Sequence, residues 1–366
     1  MGFSCGFVGL PNVGKSTIFN ALSKGGAASA NFPFCTIEPN TGMVAVPDER
    51  LLKLAKLEGS QKIIPATMEF VDIAGLVEGA SQGQGLGNQF LGHIRSVDAI
   101  AHVVRVFDDE NVVHVAGKVE PCNDLEVIMT ELMIADMEAL TRRLEKNKKL
   151  IRNGDAETKY ELELCQKYVK NLEDGKLPQI NREDSKEIQA AAKLNLLTVK
   201  PSFVIANSDE ATFMDFGNSG ASKELMEYAK EHNLEVIPVC GKLEEELSQL
   251  DEDEAKAFME DLGISESGLE RVIHTGYDLL SYITYFTVGP KEARAWTITK
   301  GMKAPEASGK IHTDLCRGFI RMETVSYNDM INNDGWNGAQ NAGKLRIEGK
   351  DYVVEDGDVV HVRFSV

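Results

Sequence analysis

The sequence lacks the features of a membrane protein and of a disulfide-bonded scaffold. None of its apolar runs approaches the roughly 20 residues that a membrane-spanning helix needs. Its six cysteines are scattered without a CxxC pair, which argues against a zinc site and against a secreted disulfide framework. No basic segment precedes an apolar run near the start, as it would in a signal peptide. We therefore expect a cytoplasmic protein with reduced thiols and no membrane partner.

Basic residues are also scarce: 39 Lys and Arg stand against 57 Asp and Glu, so the formal charge is −18. A strongly acidic chain is repelled by nucleic-acid phosphates unless its basic groups are segregated. Residues 281–366 contain eleven Lys and Arg and eleven Asp and Glu, so the whole acidic excess lies before residue 281. No DNA partner is expected, and the C-terminal part is the better candidate for any contact with RNA.

Apolar, strand-like runs separated by helix-length segments characterise the part of the chain before residue 281. They lie at 6–9, 68–72, 99–104, 202–206 and 235–239. Near-continuous hydrophobic strands of this kind are typical of a parallel sheet that is covered on both faces. We therefore predict an α/β domain with a mostly parallel sheet, formed by residues 1–123 and 197–280.

Between the third and fourth of these runs the hydrophobic spacing becomes helical. Apolar side chains recur three or four residues apart from Asp124 onward, where Asn123 or Asp124 can cap the start and Gly154 can end the helix. A second charged, amphipathic stretch follows and ends near Gly175. This pattern predicts an inserted antiparallel helical hairpin over residues 124–196, with ordinary crossover helices as the alternative.

After residue 281 the pattern changes to short strands. They lie at 295–298, 352–354 and 359–364. Residues 356–358, Asp-Gly-Asp, are typical of a turn between the last two strands. We predict a small mixed sheet with a helix, of ubiquitin-like size, over residues 281–366.

The most specific motif is the glycine-rich segment at residues 9–17, GLPNVGKST, which fits the phosphate-loop pattern G-x-x-x-x-G-K-[ST]. It lies between a strand and a helix, so backbone N–H groups and the helix N-terminus can hold phosphates. Lys15 is expected to reach the β- and γ-phosphates, and the Ser16 hydroxyl to bind Mg²⁺. The motif predicts a nucleoside triphosphate site whose contacts are Asn12, Val13, Gly14, Lys15, Ser16 and Thr17.

A second acidic element follows the apolar strand at 68–72. In the segment DIAG at 72–75, Asp72 is expected to act on Mg²⁺ through water, and the Gly75 N–H to contact the γ-phosphate. Thr36 is the candidate hydroxyl that completes the Mg²⁺ coordination, with Thr41 as its rival. The glycines that follow Gly75 predict a segment that becomes ordered when the triphosphate is bound.

These motifs resemble those of the YchF/Obg-like ATPase branch of the Obg-related P-loop proteins, and the resemblance extends over the whole chain. It is also carried by NFPFCTIEPN at 31–40, FVDIAGLV at 70–77, GNQFL at 87–91, GKIHTD at 309–314 and GFIR at 318–321. The resemblance implies a G-domain interrupted by a helical coiled-coil arm, then a C-terminal TGS domain of β-grasp fold. It further implies a translation-linked partner: the ribosome or its RNA, contacted through the TGS and helical domains.

The base-recognition segment departs from guanine-specific relatives, which use N-K-x-D after a parallel strand. Here the strand is followed by Asn207, Ser208, Asp209 and Glu210. The carboxylate in the expected register belongs to Glu210, which is one methylene longer, and Ser208 replaces the lysine. Because a displaced carboxylate cannot make the paired contact that rejects adenine, we expect ATP to be preferred, as the resemblance also implies. A shift of register that lets Asp209 restore GTP preference stays open.

Adenine is expected to contact the backbone near Ser208, with Asn207 oriented as in relatives. Cys240 is expected to lie in the last loop that contacts the base.

In Ras-like enzymes a water-orienting Gln follows D-x-x-G, but here that residue is Leu76, which cannot polarise water. The resemblance suggests His114, in a loop after the third strand, as the water-positioning group beside Lys15.

His93 and His102 are the alternatives to His114, but they lie in an apolar helix and an apolar strand, where a hydrogen-bonded structural role is expected. Asn12 matches the loop asparagine that helps to bind K⁺ in several relatives. Whether K⁺ acts here in place of an arginine finger stays open.

The leading hypothesis is a Mg²⁺-dependent ATPase whose hydrolysis resets a conformational switch. Its rivals are a GTPase switch and a non-catalytic module that uses nucleotide to gate a partner. The candidate ribosome-binding face consists of Lys300, Lys303, Lys310, Arg317 and Arg321, for which a solvated, non-binding face is the alternative.

Overall fold

The computed structural model describes residues 3–27, 40–73, 86–109, 118–147, 155–181 and 183–365. The strands are β1 (Phe3–Val8), β2 (Thr41–Ala45), β3 (Ile63–Ile64), β4 (Thr67–Asp72), β5 (Ala99–Arg105), β6 (Ser202–Asn207), β7 (Val236–Val239), β8 (Tyr282–Val288), β9 (Ala293–Thr299), β10 (Phe319–Ser326), β11 (Arg346–Glu348) and β12 (Asp358–Phe364). The helices up to β7 are α1 (Lys15–Ala27), α2 (Glu49–Leu57), α3 (Leu86–Ser96), α4 (Pro121–Lys146), α5 (Ala156–Glu173), α6 (Ser185–Leu194), α7 (Glu210–Met214) and α8 (Gly220–Glu231). After β7 they are α9 (Gly241–Leu247), α10 (Glu252–Asp261), α11 (Gly268–Leu279), α12 (Ala304–Ile311), α13 (Thr313–Arg317), α14 (Tyr327–Asn332) and α15 (Trp336–Asn341).

The first sheet has the strand order β2-β4-β1-β5-β6-β7. Strands β4, β1, β5, β6 and β7 are mutually parallel and contain the five apolar runs, so the predicted α/β class is confirmed. Strand β2 has no counterpart among the predicted strands and pairs antiparallel with β4. It has only five residues, and its sequence, TGMVA, lacks the strict apolar and polar alternation that indicates a half-buried strand.

A hydrophobic core joins this sheet to helices α1, α3 and α11. Phe7 of β1 packs edge-on against Phe70 of β4, with ring centroids 5.3 Å apart. Ile18, Ile94 and Val272 contribute fully buried side chains from the three helices. The burial of each such side chain contributes roughly 1.5–3 kcal/mol to the stability of the fold. This packing holds the ends of the parallel strands in fixed positions.

The helices between β5 and β6 enclose a second core. Leu140, Cys165, Tyr168 and Leu194 are buried where α4, α5 and α6 meet, and Arg143 Nε donates to Glu161 Oε1 at 2.7 Å across the α4–α5 pair. Ile128 and Leu132, earlier in α4, belong instead to the core of the first sheet, so this helix serves both cores. None of the helices in the described ranges is both long and apolar enough to span a membrane.

The predicted cap of α4 is wrong. The helix begins at Pro121 with Glu120 as its N-cap, because proline suits the first helical turn, where its missing N–H is not needed. Asp124 is instead a buried residue within the helix. The helix ends at Lys146, and the predicted end at Gly154 lies outside the described residues. The boundaries 124–196 and a coiled-coil arm stay predictions.

The second sheet has the order β11-β10-β12-β8-β9-β3 and is mixed, as predicted, because β8 and β12 run parallel. The turn before β12 is also confirmed, with Gly357 at φ 86. The predicted strand at 352–354 is wrong: Val353 forms only an isolated bridge with Lys303. A short stretch of this kind reaches too few neighbours to extend a ladder.

The edge strand of the second sheet comes from much earlier in the chain. Strand β3 pairs parallel with β9, with Ile63 opposite Ala293. Nearby, the Arg50 guanidinium contacts the carboxylates of Asp48 and Asp356 and lies over the Phe286 ring. Residues 49–64 therefore connect the two sheets through hydrogen bonds and ion pairs, and the division of the chain at residue 281 stays a prediction.

Candidate nucleotide-binding site

The glycine-rich loop connects the end of β1 to the start of α1, as its motif requires. Asn12 and Gly14 adopt positive φ values of 66° and 87°. A Cβ on Gly9 would approach the Val103 carbonyl oxygen to 2.7 Å, so glycine is needed for the close approach of the loop to β5. Lys15 then begins α1, so the helix N-terminus faces the space in front of the loop.

Lys15, Ser16 and Asp72 converge at the carboxyl ends of two neighbouring strands. The buried Lys15 ammonium contacts one oxygen of Asp72, and Ser16 Oγ donates to the other at 3.1 Å. This arrangement arises because β1 and β4 are parallel and adjacent, so the segments that follow them lie at the same edge of the sheet.

The oxygen atoms of this group suit a magnesium ion. Mg²⁺ prefers carboxylate and hydroxyl oxygens and keeps several waters, using one or two carboxylates together with substrate phosphates. Ser16 and Asp72 could hold such an ion, and Lys15 would then be free to contact phosphate. Thr36, the predicted Mg²⁺ ligand, and Gly75, the predicted γ-phosphate contact, lie outside the described residues. Thr41, the alternative to Thr36, lies in β2 opposite Val71.

The base-recognition segment touches the phosphate loop directly. Asn207, the last residue of β6, donates from Nδ2 to the Val13 carbonyl oxygen at 2.9 Å. A Cβ on Gly14 would lie 2.0 Å from the same nitrogen. Thr17 of α1 also faces Gly241, at 3.5 Å from where a Cβ would be. The asparagine therefore links the two binding segments and explains why position 14 needs glycine.

The side chains after Asn207 are held in different ways. Ser208 is buried, and both its backbone N–H and its hydroxyl donate to the Val239 carbonyl oxygen, at 2.9 and 3.3 Å. Asp209 is the N-cap of α7 and accepts from Thr212 N at 2.8 Å. Glu210 is the first residue of that helix and is exposed. One oxygen of Asp209 is thus occupied, while Glu210 projects from the segment as the available carboxylate.

These residues line a cleft of about 1090 Å³. Of the predicted contacts, it is bordered by Asn12, Gly14, Thr17, Asn207, Ser208, Glu210 and Cys240. Cys240 is buried, and burial raises the pKa of its thiol, which suits a packing role rather than a reactive one. This volume lies slightly above the range of about 300–1,000 Å³ found for pockets that enclose small ligands.

Several residues of the cleft were absent from the predicted contacts. They are Arg105, Phe107, Asp108, Asp109, Ala211, Met214 and Lys242. Arg105 ends β5, is only 2% exposed, and donates from Nε to the Phe107 carbonyl oxygen at 2.8 Å, with its guanidinium 4.7 Å from the Phe107 ring centroid. No motif marks these residues, but β5 lies between β1 and β6, which places its carboxyl end in the cleft.

The histidine predictions have different outcomes. His114 lies outside the described residues, so its role stays a prediction. His93 is exposed on α3. His102 is buried in β5, but within the described ranges neither ring nitrogen has a hydrogen-bond partner, so the expected hydrogen-bonded role is wrong. Burial lowers its pKa to about 4, and the ring is a neutral core group rather than a water-positioning one.

The proposed basic face of the C-terminal part is partly neutralised by neighbours. Lys303 Nζ donates to Asp351 at 2.8 Å, and Arg321 donates to Glu323 at 3.2 Å. Lys300, Lys310 and Arg317 are exposed, and no ion pair to a described residue involves them.

The strand–loop–helix phosphate site, the aspartate after the neighbouring strand and the asparagine of β6 define the class of P-loop nucleotide-binding proteins with the GTPase fold. A family model described as 50S ribosome-binding GTPase matches residues 4–151, and the model YchF-GTPase_C, described as a protein of unknown function, matches residues 282–365.

Curated relatives match the whole chain. It is 51% identical over 366 residues to the ribosome-binding ATPase YchF of Haemophilus influenzae, with complete coverage of both chains. It is 52% identical over 368 residues to the protein of that name from Bacillus subtilis, again with complete coverage. The structure of the Schizosaccharomyces pombe YchF GTPase is similar with a TM-score of 0.89 and 38% identity, covering 99% of this chain and 97% of that one. The chain therefore belongs to the YchF family.

Proposed function

We propose that this chain is a Mg²⁺-dependent ATPase that acts as a nucleotide-controlled switch on the ribosome. The observation that carries the preference for ATP is the arrangement of residues 207–210 at the cleft. The names of the curated relatives, ribosome-binding ATPases, support both the reaction and the partner. The family model and the yeast structure carry the word GTPase, so the choice of base is the part that most needs a test.

The choice of adenine follows from hydrogen-bond chemistry. Guanine presents two N–H donors that an Asp of the N-K-x-D type accepts together, but here Asp209 has one oxygen engaged in capping α7. Glu210 is longer and begins the helix, which displaces its carboxylate from that position. The amino group of adenine is a donor and needs an acceptor, for which we propose the Ser208 carbonyl oxygen. The Ser208 N–H fixes this backbone by donating to the Val239 carbonyl oxygen at 2.9 Å. A pocket without the paired acceptor loses its means of preferring guanine.

The phosphate end supplies the remaining groups. Lys15 and the loop N–H groups would hold the β- and γ-phosphates, while Ser16 and Asp72 would hold Mg²⁺, which neutralises the developing charge when the γ-phosphate is transferred to water. We include Thr36 and Gly75 in this machinery on the basis of their motifs, and His114 on the basis of the resemblance. Asn12 is the residue we assign to K⁺.

The switch and partner parts of the proposal depend on the connection between the two sheets. If the segment after Asp72 becomes ordered when nucleotide binds, the change would act on β4, which ends at Asp72. Strand β3 precedes β4 in the chain and is an edge strand of the C-terminal sheet, so the change could be transmitted there. The exposed Lys310 and Arg317 on that part of the molecule could then meet ribosomal RNA in one nucleotide state. Such a partner would place the protein in the cytoplasm.

The decisive experiment is a competition titration of the full-length chain with ATP and GTP, with and without K⁺. We expect ATP to bind at least tenfold more tightly. The double variant Ser208→Lys with Glu210→Asp restores the N-K-x-D pattern and should shift the preference toward GTP.

Asp209→Asn is the matched control, because asparagine still caps α7. If GTP binds more tightly to the natural chain and this substitution abolishes that preference, Asp209 reads guanine and the assignment of ATP is wrong.

A further inference from the structure

Helix α9 forms one wall of the nucleotide cleft and is attached to the rest of the molecule by a buried carboxylate. The helix begins immediately after Cys240, and Gly241 and Lys242 line the cleft. Glu244, one turn further on, is only 3% exposed. Its backbone N–H donates to the Cys240 carbonyl oxygen at 3.0 Å, so the position of Glu244 and that of the cleft wall are directly connected.

The Glu244 side chain ends at the N-terminus of another helix. Its Oε1 accepts from Gly268 N at 2.7 Å. This is the first N–H group of α11, which has no partner within its own helix. The helix dipole favours the charged form of this carboxyl, whereas burial raises its pKa to about 7, and both protonation states keep an oxygen that can accept from Gly268 N.

Gly268 shows how close this contact is. A Cβ at that position would lie 2.9 Å from Glu244 Oε1 and 3.1 Å from the Pro238 carbonyl oxygen. The same helix end also has a capping box, in which Ser267 and Glu270 satisfy each other's backbone N–H groups. Among the described residues, the hydrogen bonds given for Glu270 stay within this capping box, whereas Glu244 joins the two helices.

We propose that Glu244 is a positioning residue for the base side of the nucleotide cleft, holding residues 240–242 in place by anchoring α9 to α11. The inference rests on the proposed function, since it requires that the cleft takes the base of a nucleotide. The proposal predicts different effects on the two ends of the nucleotide. Loss of the Glu244 anchor weakens contacts to the base, while the phosphate loop between β1 and α1 keeps its geometry.

The test compares two ligands on the full-length chain in the presence of Mg²⁺: ATP, and inorganic tripolyphosphate, which lacks the base. Glu244→Ala should raise the Kd for ATP about tenfold and leave the Kd for tripolyphosphate within twofold of its natural value. Glu244→Gln keeps an oxygen that can accept from Gly268 N, so it should restore most of the ATP affinity. Glu270→Ala, the matched control, should leave both constants unchanged.

Each alternative outcome has a definite meaning. An unchanged ATP Kd in Glu244→Ala, or an equal loss of ATP and tripolyphosphate binding, overturns the positioning role. An equal loss of ATP affinity in Glu270→Ala attributes the effect to capping of α11 and likewise contradicts it. If Glu244→Ala does not fold, Gly268→Ala decides, because its new Cβ would lie 2.9 Å from Glu244 Oε1 and displace that carboxylate. Its ATP Kd should rise while its tripolyphosphate Kd stays within twofold of the natural value, and an unchanged ATP Kd or an equal rise of both constants would refute selective action on the base side. A natural chain that binds tripolyphosphate but no nucleotide refutes the proposed function instead.

Discussion

The buried imidazole of His102 makes the stability of this protein sensitive to mild acid. The side chain is 1% exposed, and neither ring nitrogen has a partner among the described residues. A proton added there would place a charge in an apolar layer between strands, so the folded chain resists protonation. We predict that His102→Leu, which has a similar size and no titrating group, removes this sensitivity.

The magnitude follows from the two pKa values. The ordinary value of 6.5 applies to the unfolded chain, and burial lowers the folded value to about 4. The unfolded state binds more protons between these limits, so the stability from a neutral His102 is fully present above pH 6.5 and is lost as the pH falls toward 4. The gap of about 2.5 pH units corresponds to about 3 kcal/mol in total, of which roughly 2 kcal/mol is lost between pH 7.5 and pH 5.

The assay is urea unfolding of the full-length chain at pH 7.5 and pH 5. Glu244 has the opposite dependence, because burial raises its pKa to about 7, so the natural chain shows the sum of both effects. For each protein we therefore take the change in unfolding free energy between the two pH values. The difference between the change in His102→Leu and the change in the natural chain isolates His102, because the contributions of all other groups cancel. His93→Gln, at an exposed histidine, is the matched control and should behave like the natural chain.

Two results would refute this reasoning. One is a His102→Leu variant that loses as much stability between pH 7.5 and pH 5 as the natural chain does. The other is a variant destabilised by more than about 1 kcal/mol at pH 7.5, since removing two unpaired buried nitrogens should be neutral or favourable. The second result would mean that the ring has a partner that satisfies it in the folded state.

The remaining predictions concern the ligand and the partner. Gly14→Ala should weaken nucleotide binding at least 100-fold, because its φ is 87° and the new Cβ would collide with Asn207 Nδ2, as measured by a nucleotide titration. Gly59→Ala is its control, because φ is 61° there but no atom lies within 4 Å of the new Cβ. This variant should lose about 1 kcal/mol of stability and keep its nucleotide affinity. Equal nucleotide affinities in the two variants would contradict the role of Asn207. Replacing Lys310 and Arg317 together by Ala should reduce co-sedimentation with ribosomes at least fivefold and weaken its salt dependence, whereas Lys53→Ala, at an ion-paired lysine of α2, should not. Equal loss in both would show that this face is not the contact.

Local patterns in the sequence predicted much of the fold and the chemistry of the site. The runs that became β1, β5 and β6 are almost wholly buried, whereas β4 and β7 bury alternate residues. Their apolar character is therefore visible without any knowledge of neighbours. The phosphate loop is a contiguous backbone structure, and its glycines and Lys15 are therefore recognisable as a string. The roles of Thr36 and Gly75, which come from motifs, and that of His114, which comes from the resemblance, stay predictions.

Features that depend on distant partners were decided by tertiary structure. The short strand β3 is recognisable only through its pairing with β9, more than two hundred residues later. Arg105 and Phe107 belong to the cleft only because β5 lies between β1 and β6.

The need for glycine at position 14 has two sources. The motif identifies that glycine from the sequence alone, because the phosphate loop requires its backbone conformation. The physical obstacle to any larger residue is Asn207, which lies 194 positions beyond Val13, whose carbonyl it binds. The sequence by itself therefore determined what the loop binds, since that information is local. Only the folded chain decided which distant side chains surround the ligand, since those contacts join residues that no local pattern relates.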